Sequence, residues 1–600
     1  MCSIFGAIGD TTKAQEAFAT LAHRGEDSLK TISKEHLFFG AHRLAIQSIQ
    51  QKQIQPLESN GYIALFNGEI YNYHELKEQF TIQASSEIEL ILELFRRDIE
   101  LLEHLRGMFA IAIYNSKTKE LFLFRDRVGK KPLYFLEHKG SFYFASEPKA
   151  LFVIKEFALE KRAIHQFLGY GAMIAPNTLD KTIKKLPASS ILHYKDKRYS
   201  ITPKEYFLNQ PVVVNSQEEA IRRYHSKLRE SIALRLPKEL PFGFLVSGGL
   251  DSSLVAAIAS QELQEPIDIF SIGYEGYEKY DERGYAKELA KHLGANFHSF
   301  NFSKEDFFAT LDEMLPFIDD PIGDPAQIPL FFLIKKAKSF GKKVLLSGDG
   351  SDEVHFGYRV YKEYLMMEQV QELPYANWLK NHLKAHFSLN KEWEWYKRAL
   401  NKETIFRSTA ELYTDRQLNM LLRLQEKDNK NFEAIAHYYK SFQKSKRDIL
   451  DWYSYADIKV LLGEFFLHKI DRVSMANGIE LRSPFLDSAL LELAFQIEPK
   501  LRFNPKNVKP ILKAIAKEYL PQSLLNRKKK GLNYPFIEWI LEEDGLEVIY
   551  EANERFRIFK KEQLDFLSSK ASSGKFKQHL FPLYMLSRFF KYQTKIYHIF

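Results

Sequence analysis

A single cysteine in 600 residues is the sharpest shortage in this sequence, and it rules out an internal disulfide. A chain without disulfides fits a reducing compartment. Long apolar runs are missing too. The longest unbroken one, MFAIAIY from Met108 to Tyr114, falls far short of the ~20 residues a membrane span needs. The opening MCSIFGAIGDTTK has no basic flank and meets Asp10 before any long apolar run, so no secretory signal is expected. Low-complexity segments and internal repeats are absent. So are the Gly-x-x-x-x-Gly-Lys-Ser/Thr loop of phosphoryl-transfer enzymes and the Gly-x-Ser-x-Gly elbow. HELKE (74–78) begins like a zinc helix but lacks the second histidine, and one cysteine excludes a multi-cysteine cluster. Net charge is small as well: 85 Lys and Arg against 77 Asp and Glu leave +8. That balance suits anionic small-molecule substrates and gives little ground for a nucleic-acid partner. A soluble cytoplasmic protein without membrane or nucleic-acid partners is expected.

What is present is ample apolar material, 45% hydrophobic residues with 27% charged, as in ordinary globular proteins. Up to about residue 200 the text reads as short strands between turns: HLFFGAHRLAI, GYIALFNGEI, GMFAIAIYNS, ELFLFRDR and SFYFASE. One helical pattern lies among them, SSEIELILELFRRD, with apolar residues at 88, 91, 92 and 95 on one face and Ser85 or Ser86 as cap. PKEYFLNQPVVVNSQEEA (203–220) reads as a connection, giving units of 1–205 and 219–600 joined by 206–218. From about 219, buried strands alternate with longer helices, which predicts a parallel α/β sheet. After about 360 the chain is mostly helical. Its aromatic tail RFFKYQTKIYHIF reads as a packed terminal helix, and RKKK (527–530) as a solvated loop with one functional lysine.

PFGFLVSGGLDSSLVAAIASQ is the most specific stretch. An apolar strand (Phe242–Val246) runs into Ser247, Gly248 and Gly249, and a helix is expected after Ser252 and Ser253. Glycines let the backbone approach a phosphate, and a helix start supplies amide donors and a favourable dipole. Asp251 at this turn can hold the Mg²⁺ that accompanies a nucleotide. A second acidic turn, KKVLLSGDGSDEV, puts Asp349, Asp352 and Glu353 at another strand end, where open α/β sheets place ligands. Asp251 and Asp352 together suit one Mg²⁺.

The lone thiol sits at position 2. Removal of Met1 would expose Cys2 with its own α-amino group, whose pKa near 8 makes it an available base. Thiol and base in one residue form an amino-terminal nucleophile.

Cys2 stands with AHRGED (22–27), HRLAI (42–46), NGEIYN (67–72), FRDRVGKKPLYF (124–135) and ASEPKAL (145–151). Together these resemble the glutaminase domain of class II amidotransferases. SGGLDSS looks like the pyrophosphate loop of ATP pyrophosphatases. With SGDGSDE and KIDRVSMANGIELRSPFLD (469–487), the whole resembles the glutamine-hydrolysing asparagine synthetase family over about residues 1–200 and 240–535. The resemblance implies a fold of mixed α/β and α+β class. A four-layer αββα N-terminal-nucleophile sandwich would precede a doubly wound parallel-sheet ATP-pyrophosphatase domain with added helices. It also implies roles. Cys2 would attack the glutamine amide, with Asn67 and the Gly68 N–H as oxyanion hole. Arg43 would clamp the glutamine α-carboxylate, Leu44, Ala45, Ile46 and Gln47 would line the glutamine site, and Glu69 and Glu87 would hold the substrate and its α-ammonium. For ATP, Leu245 and Ile272 would flank the adenine, and Ser247, Gly248, Gly249, Asp251, Ser252 and Ser253 would cradle phosphate. Ser347 and Gly348 would lie near the nucleotide, and Lys529 would face the departing pyrophosphate.

The expected reaction follows. Glutamine is hydrolysed at Cys2, and ammonia is channelled to an aspartyl-adenylate made from aspartate and ATP with Mg²⁺. The products are asparagine, glutamate, AMP and diphosphate. Family analogy also suggests a homodimer. Three positions depart from the family pattern: Glu87 where aspartate is common, Glu26 where proline follows His-Arg-Gly, and VHFGY (354–358), which brings His355 as bulk and charge beside the acceptor pocket. That last departure supports the alternative of an amidotransferase acting on another carboxylate, such as a sugar acid or a natural-product intermediate.

Overall fold

The computed structural model describes residues 2–46, 55–274, 276–369, 391–427, 429–525, 527, 534–543, 546–572 and 576–597. In the first half the strands are β1 (Cys2–Ile8), β2 (Ser28–Lys34), β3 (Leu37–Arg43), β4 (Leu57–Ser59), β5 (Tyr62–Ile70) and β6 (Gly107–Asn115). They continue with β7 (Glu120–Arg125), β8 (Tyr134–His138), β9 (Ser141–Ala145), β10 (Lys184–Lys185), β11 (Ser190–Lys195) and β12 (Arg198–Pro203). Two six-stranded sheets result, ordered β10-β8-β9-β1-β3-β2 and β12-β11-β7-β6-β5-β4. Their pairings are antiparallel.

Strand alternation explains the layering. Ile4, Phe39, Ala41, Leu65, Ala110, Ala112 and Leu123 meet between the sheets as one apolar layer. The opposite face of the second sheet, with Phe66, Ile111 and Phe124, is covered by Ile88, Ile91 and Leu92 of the helix Glu87–Arg97. That helix starts as its sequence requires: the Ser86 Oγ accepts the Glu89 amide, acids fill the first turn and arginines the last. The outer face of the first sheet packs helices Ala14–Ala19 and Pro148–Ile154, completing four layers. This apolar layer continues unbroken into the second half.

The second half holds β13 (Phe242–Leu245), β14 (Asp268–Tyr274), β15 (Asn296–Phe302), β16 (Val344–Leu346) and β17 (Glu480–Arg482). They form an all-parallel sheet ordered β15-β14-β13-β16-β17. The winding reverses between β13 and β16, so the crevice beyond their carboxyl ends is the topological switch point where such sheets bind ligands. The segment between the halves is tied down: Val213 and Val214 donate amide hydrogens to the Gln496 carbonyl, and Phe207 stacks on Phe495. The tail forms the helix Lys577–Tyr597 with Phe589 and Phe590 buried, as expected of a packed terminal helix. Among the described residues no helix is long and apolar enough to cross a membrane.

Candidate active sites

The first site is built where β1, β3 and β5 run side by side. Cys2 opens β1 opposite Arg43 of β3, and its thiol is buried. Burial pushes that thiol up from its ordinary pKa, against the pull of Arg43 and a backbone N–H from Leu44. The Asn67 Oδ1 accepts the Cys2 N–H at 3.2 Å. Because that contact fixes the amide's orientation, the Asn67 Nδ2 is a buried donor without a hydrogen-bond partner among the described residues.

The ladder of β5 supplies a second donor. Asp126 takes both the N–H and, through its own amide, the carbonyl of Phe109. Phe109 therefore spends its hydrogen bonds away from Gly68, its register partner on β5. The alternate amides of β5 face the other way, where Phe66 donates to the Gln55 Oε1 and Ile70 to the Glu87 Oε1. The Gly68 N–H points out between those two. Gln55 also donates through Nε2 to the Cys2 Sγ at 3.2 Å, so one side chain links thiol and strand. A Cβ on Gly68 would overlap the Met108 carbonyl oxygen, which leaves glycine as the residue that fits.

Glu69, near the end of β5, and Glu87, the first residue of the helix Glu87–Arg97, complete this site. Glu69 is buried and Glu87 is half-buried. Burial, with Glu69 and Glu480 nearby, raises the Glu87 carboxyl well above the ordinary value. The extra methylene of Glu87 is used to reach the Ile70 amide at 2.6 Å. Leu44, Ala45 and Ile46 are buried beside Arg43, with the Ala45 amide held by Asp27 at 2.7 Å. Glu26 pairs with Arg43 in a short parallel bridge. Gln47 lies outside the described residues.

The second site fills the crevice between β13 and β16. Gly248 takes a left-handed backbone (φ 70°), and Gly249 is the N-cap of the helix Leu250–Glu262. The helix thus begins before Asp251, and not after Ser253 as the sequence suggested. The glycine pair provides the cap, so the serines already lie in the first turn. Asp251 consequently stands at the positive end of the helix dipole. Ser252 Oγ donates to the Gly249 carbonyl at 3.4 Å, and Ser253 is buried. Leu245 and Ile272 are buried on the adjacent strands β13 and β14, and Ser347 and Gly348 follow β16. A Cβ on Gly348 would lie 2.6 Å from the Ser252 amide nitrogen, so the two loops meet backbone to backbone. Ser347 Oγ donates to Asp349 at 2.5 Å. Lys529 lies outside the described residues, but Arg527 reaches the Ser247 carbonyl at 3.1 Å.

Asp251 and Asp352 do come together, joined by a residue the sequence reading missed. Lys509 places its Nζ 2.6 Å from the Asp251 Oδ2, 2.6 Å from the Asp352 Oδ1 and 3.0 Å from the Ser351 Oγ. Burial works against its charge, but the two carboxylates outweigh it and raise its pKa. A Cβ on Gly357 would overlap the Asp352 carboxylate, so glycine there keeps the pair in place. Two hard carboxylates fit Mg²⁺, which takes one or two such ligands and completes its shell with substrate phosphates and water. Among the described residues no group of three or more His, Cys, Asp and Glu forms a self-sufficient metal cage.

Glu353 is buried, pushed up to about 8 by burial and by Asp352, and accepts a hydrogen bond from Tyr358 at 2.6 Å. His355 is the correction to the sequence reading. It is fully buried, edge-on to Tyr224, and burial with Arg502 and Lys509 nearby holds its pKa well below the ordinary value. It contributes bulk to the core and no charge to a pocket.

Between the sites the two halves meet through buried charge. Arg24 forks onto Asp471 (2.8 Å) and Glu147 (2.7 Å), Arg472 joins Glu147 (2.7 Å) to Asp319 (3.1 Å), and Lys131 reaches Asp471 at 3.1 Å. Asp126 holds the loop before Lys131 through the amides of Val128, Lys130 and Lys131. From that loop Lys130 reaches across to the Ser483 Oγ at 2.9 Å. Burial, with Lys131 adjacent, pulls its pKa down to about 7.

Comparison with known proteins agrees with this two-site arrangement. The family model described as asparagine synthase matches residues 223–590, and that of a glutamine amidotransferase domain matches residues 1–207. Asparagine synthetase [glutamine-hydrolyzing] 1 of Bacillus subtilis is 32% identical over 568 residues, covering 90% of this chain and 88% of that protein. Asparagine synthetase B [glutamine-hydrolyzing] of Escherichia coli is 27% identical over 579 residues, covering 90% and 84%.

Proposed function

The chain belongs to the glutamine-hydrolysing asparagine synthetase family, and from that premise we propose how its residues divide the work. Residues 1–205 act as the glutaminase, 206–218 connect, and 219–600 act as the synthetase. The Cys2 thiol attacks the side-chain carbonyl of glutamine, with the α-amino group freed by loss of Met1 accepting its proton. The developing oxyanion is met by the Asn67 Nδ2 and the Gly68 N–H. The Asn67 Nδ2, a buried donor without a hydrogen-bond partner among the described residues, is the observation that carries this half. Arg43 takes the glutamine α-carboxylate, and Glu69 and Glu87 take its α-ammonium. Collapse of the tetrahedral adduct releases ammonia and leaves a thioester, which water hydrolyses to glutamate.

In the second site the loop 247–253 and the Ser347–Gly348 turn cradle ATP, with Leu245 and Ile272 against the adenine. Asp251 and Asp352 would hold Mg²⁺, which supplies positive charge to the phosphates. Lys509 adds a fixed cation at the same place and faces the charge that pyrophosphate gains as it leaves. Lys529 is assigned to that role as well. The aspartate side chain, adenylated on its carboxylate, becomes an acyl group that ammonia can attack, giving asparagine and AMP. Ammonia crosses the buried interface between the halves, where it escapes protonation by bulk water. Neutral, buried His355 removes the feature that favoured a different carboxylate acceptor. A cytoplasmic homodimer is the proposed setting. The test is amide formation from glutamine, aspartate and ATP: asparagine with equimolar pyrophosphate supports the assignment, and its absence with active enzyme overturns it.

A further inference from the structure

Glu69 belongs to the glutaminase sheet, yet Arg482, a cation paired with it, comes from the other half. Arg482, at the end of β17, places its Nη2 3.1 Å from the Glu69 Oε1 and its Nε 2.6 Å from the Glu480 Oε1. All three side chains are buried. The remaining nitrogen, Nη1, donates to the Arg235 carbonyl at 2.9 Å. The guanidinium therefore has its whole fork fixed, with one prong given to the glutamine site. Tyr71, two residues after Glu69, packs its ring against Arg482 (5.5 Å) and Arg235 (4.1 Å). Arg235 is in turn paired with Asp487, which also holds Arg106. The backbone of Arg482 is anchored just as firmly: it is in register with Leu346, and its carbonyl accepts the Ser347 amide at 3.0 Å.

We propose that Arg482, a residue of the synthetase half, is a positioning residue for glutamine: it holds the Glu69 carboxylate in place and in charged form to receive the substrate's α-ammonium. This rests on the reading of Glu69 and Glu87 as the ammonium site. A buried carboxylate is stable as an anion only with a cation beside it. The Glu87 carboxyl is pushed towards its neutral form by burial with Glu69 and Glu480 nearby, and no cation is paired with it as Arg482 is with Glu69 among the described residues. The geometry therefore makes glutamine affinity a property of both halves, set across their interface.

The experiment is steady-state glutaminase kinetics on the full-length protein with Arg482→Gln, Arg482→Lys and Glu69→Gln, alongside ammonia-dependent asparagine synthesis for each. Arg482→Gln should raise the KM for glutamine about tenfold or more while leaving kcat within about threefold, because it removes a charged partner from binding and not from the thiol. Arg482→Lys, which keeps charge but loses the fork, should fall between wild type and Arg482→Gln. Ammonia-dependent synthesis should persist, reporting an intact fold. If Glu69→Gln raises KM and Arg482→Gln does not, the inference falls and the site reading stands. If Glu69→Gln leaves KM unchanged, the site reading itself falls. If Arg482→Gln cannot be made as folded protein, an unchanged KM in Arg482→Lys overturns the proposal.

Discussion

Replacing Asn67 with alanine separates the oxyanion hole from the rest of the molecule. In the native fold the Asn67 Oδ1 accepts the Cys2 N–H, while its Nδ2 is buried without a partner among the described residues. An unsatisfied buried donor costs about 1–3 kcal/mol, and losing the acceptor leaves the Cys2 N–H with a penalty of the same size. The two effects oppose each other, so stability should change by no more than about 1.5 kcal/mol. Catalysis has no such offset. A single oxyanion donor is worth about 2.7–4 kcal/mol, or roughly 100- to 1000-fold in kcat. Asn67→Ala should therefore lower glutaminase kcat by that factor, with KM for glutamine within about threefold, since the donor acts on the transition state. Ammonia-dependent asparagine synthesis should be unchanged. The assay is glutamate release at saturating glutamine, with an unfolding curve beside it. A kcat within threefold of wild type in a stable variant would refute the assignment of this donor.

Three further outcomes are expected. Lys509→Met should reduce pyrophosphate release by about 100- to 1000-fold, as loss of one fixed charge on the leaving group would, and leave glutaminase activity intact; a comparable fall in both activities would point to misfolding. The KM for glutamine should fall as pH rises, because the raised Glu87 must give up its proton, beside Glu69 and Glu480, before it can pair with an ammonium; a KM flat with pH, or rising, contradicts this. Asp471→Asn should destabilise the protein by about 3–5 kcal/mol, leaving Arg24 and Lys131 without their shared carboxylate. Asp471 and Glu147 are both buried and held below the usual carboxylate range by the cations around them. The stability they contribute is therefore present above the ordinary carboxylate pKa of about 4 and lost as pH falls through their lowered values. Denaturation curves of wild type and variant, which should converge in acid, measure both effects.

The fold was readable where local pattern decides structure. Short apolar runs bounded by turn or polar residues, YIALFNGEI and GMFAIAIYNS, marked the sandwich strands, and the cap at Ser86 marked the helix that covers them. SGGLDSS was legible because its chemistry is concentrated in consecutive residues, although the helix starts earlier than read, with Gly249 as its cap. Lys509 was not legible: it is 258 residues from Asp251 and sits in NVKP, with no motif around it. Gln55 and Arg482 escaped for the same reason, since each acts on a residue from a distant strand. His355 was misread because its charge depends on burial, which the packing of the helix Gln217–Arg235 decides and the residue type does not.

The most direct measurement follows pyrophosphate and amide products from purified protein given ATP, Mg²⁺, glutamine and aspartate, in wild type and Cys2→Ala. Aspartate-dependent pyrophosphate with asparagine identified by mass spectrometry, lost in Cys2→Ala and restored by added ammonia, is the predicted result. Cys2-dependent glutamate release without asparagine would contradict the account and move the acceptor to another carboxylate.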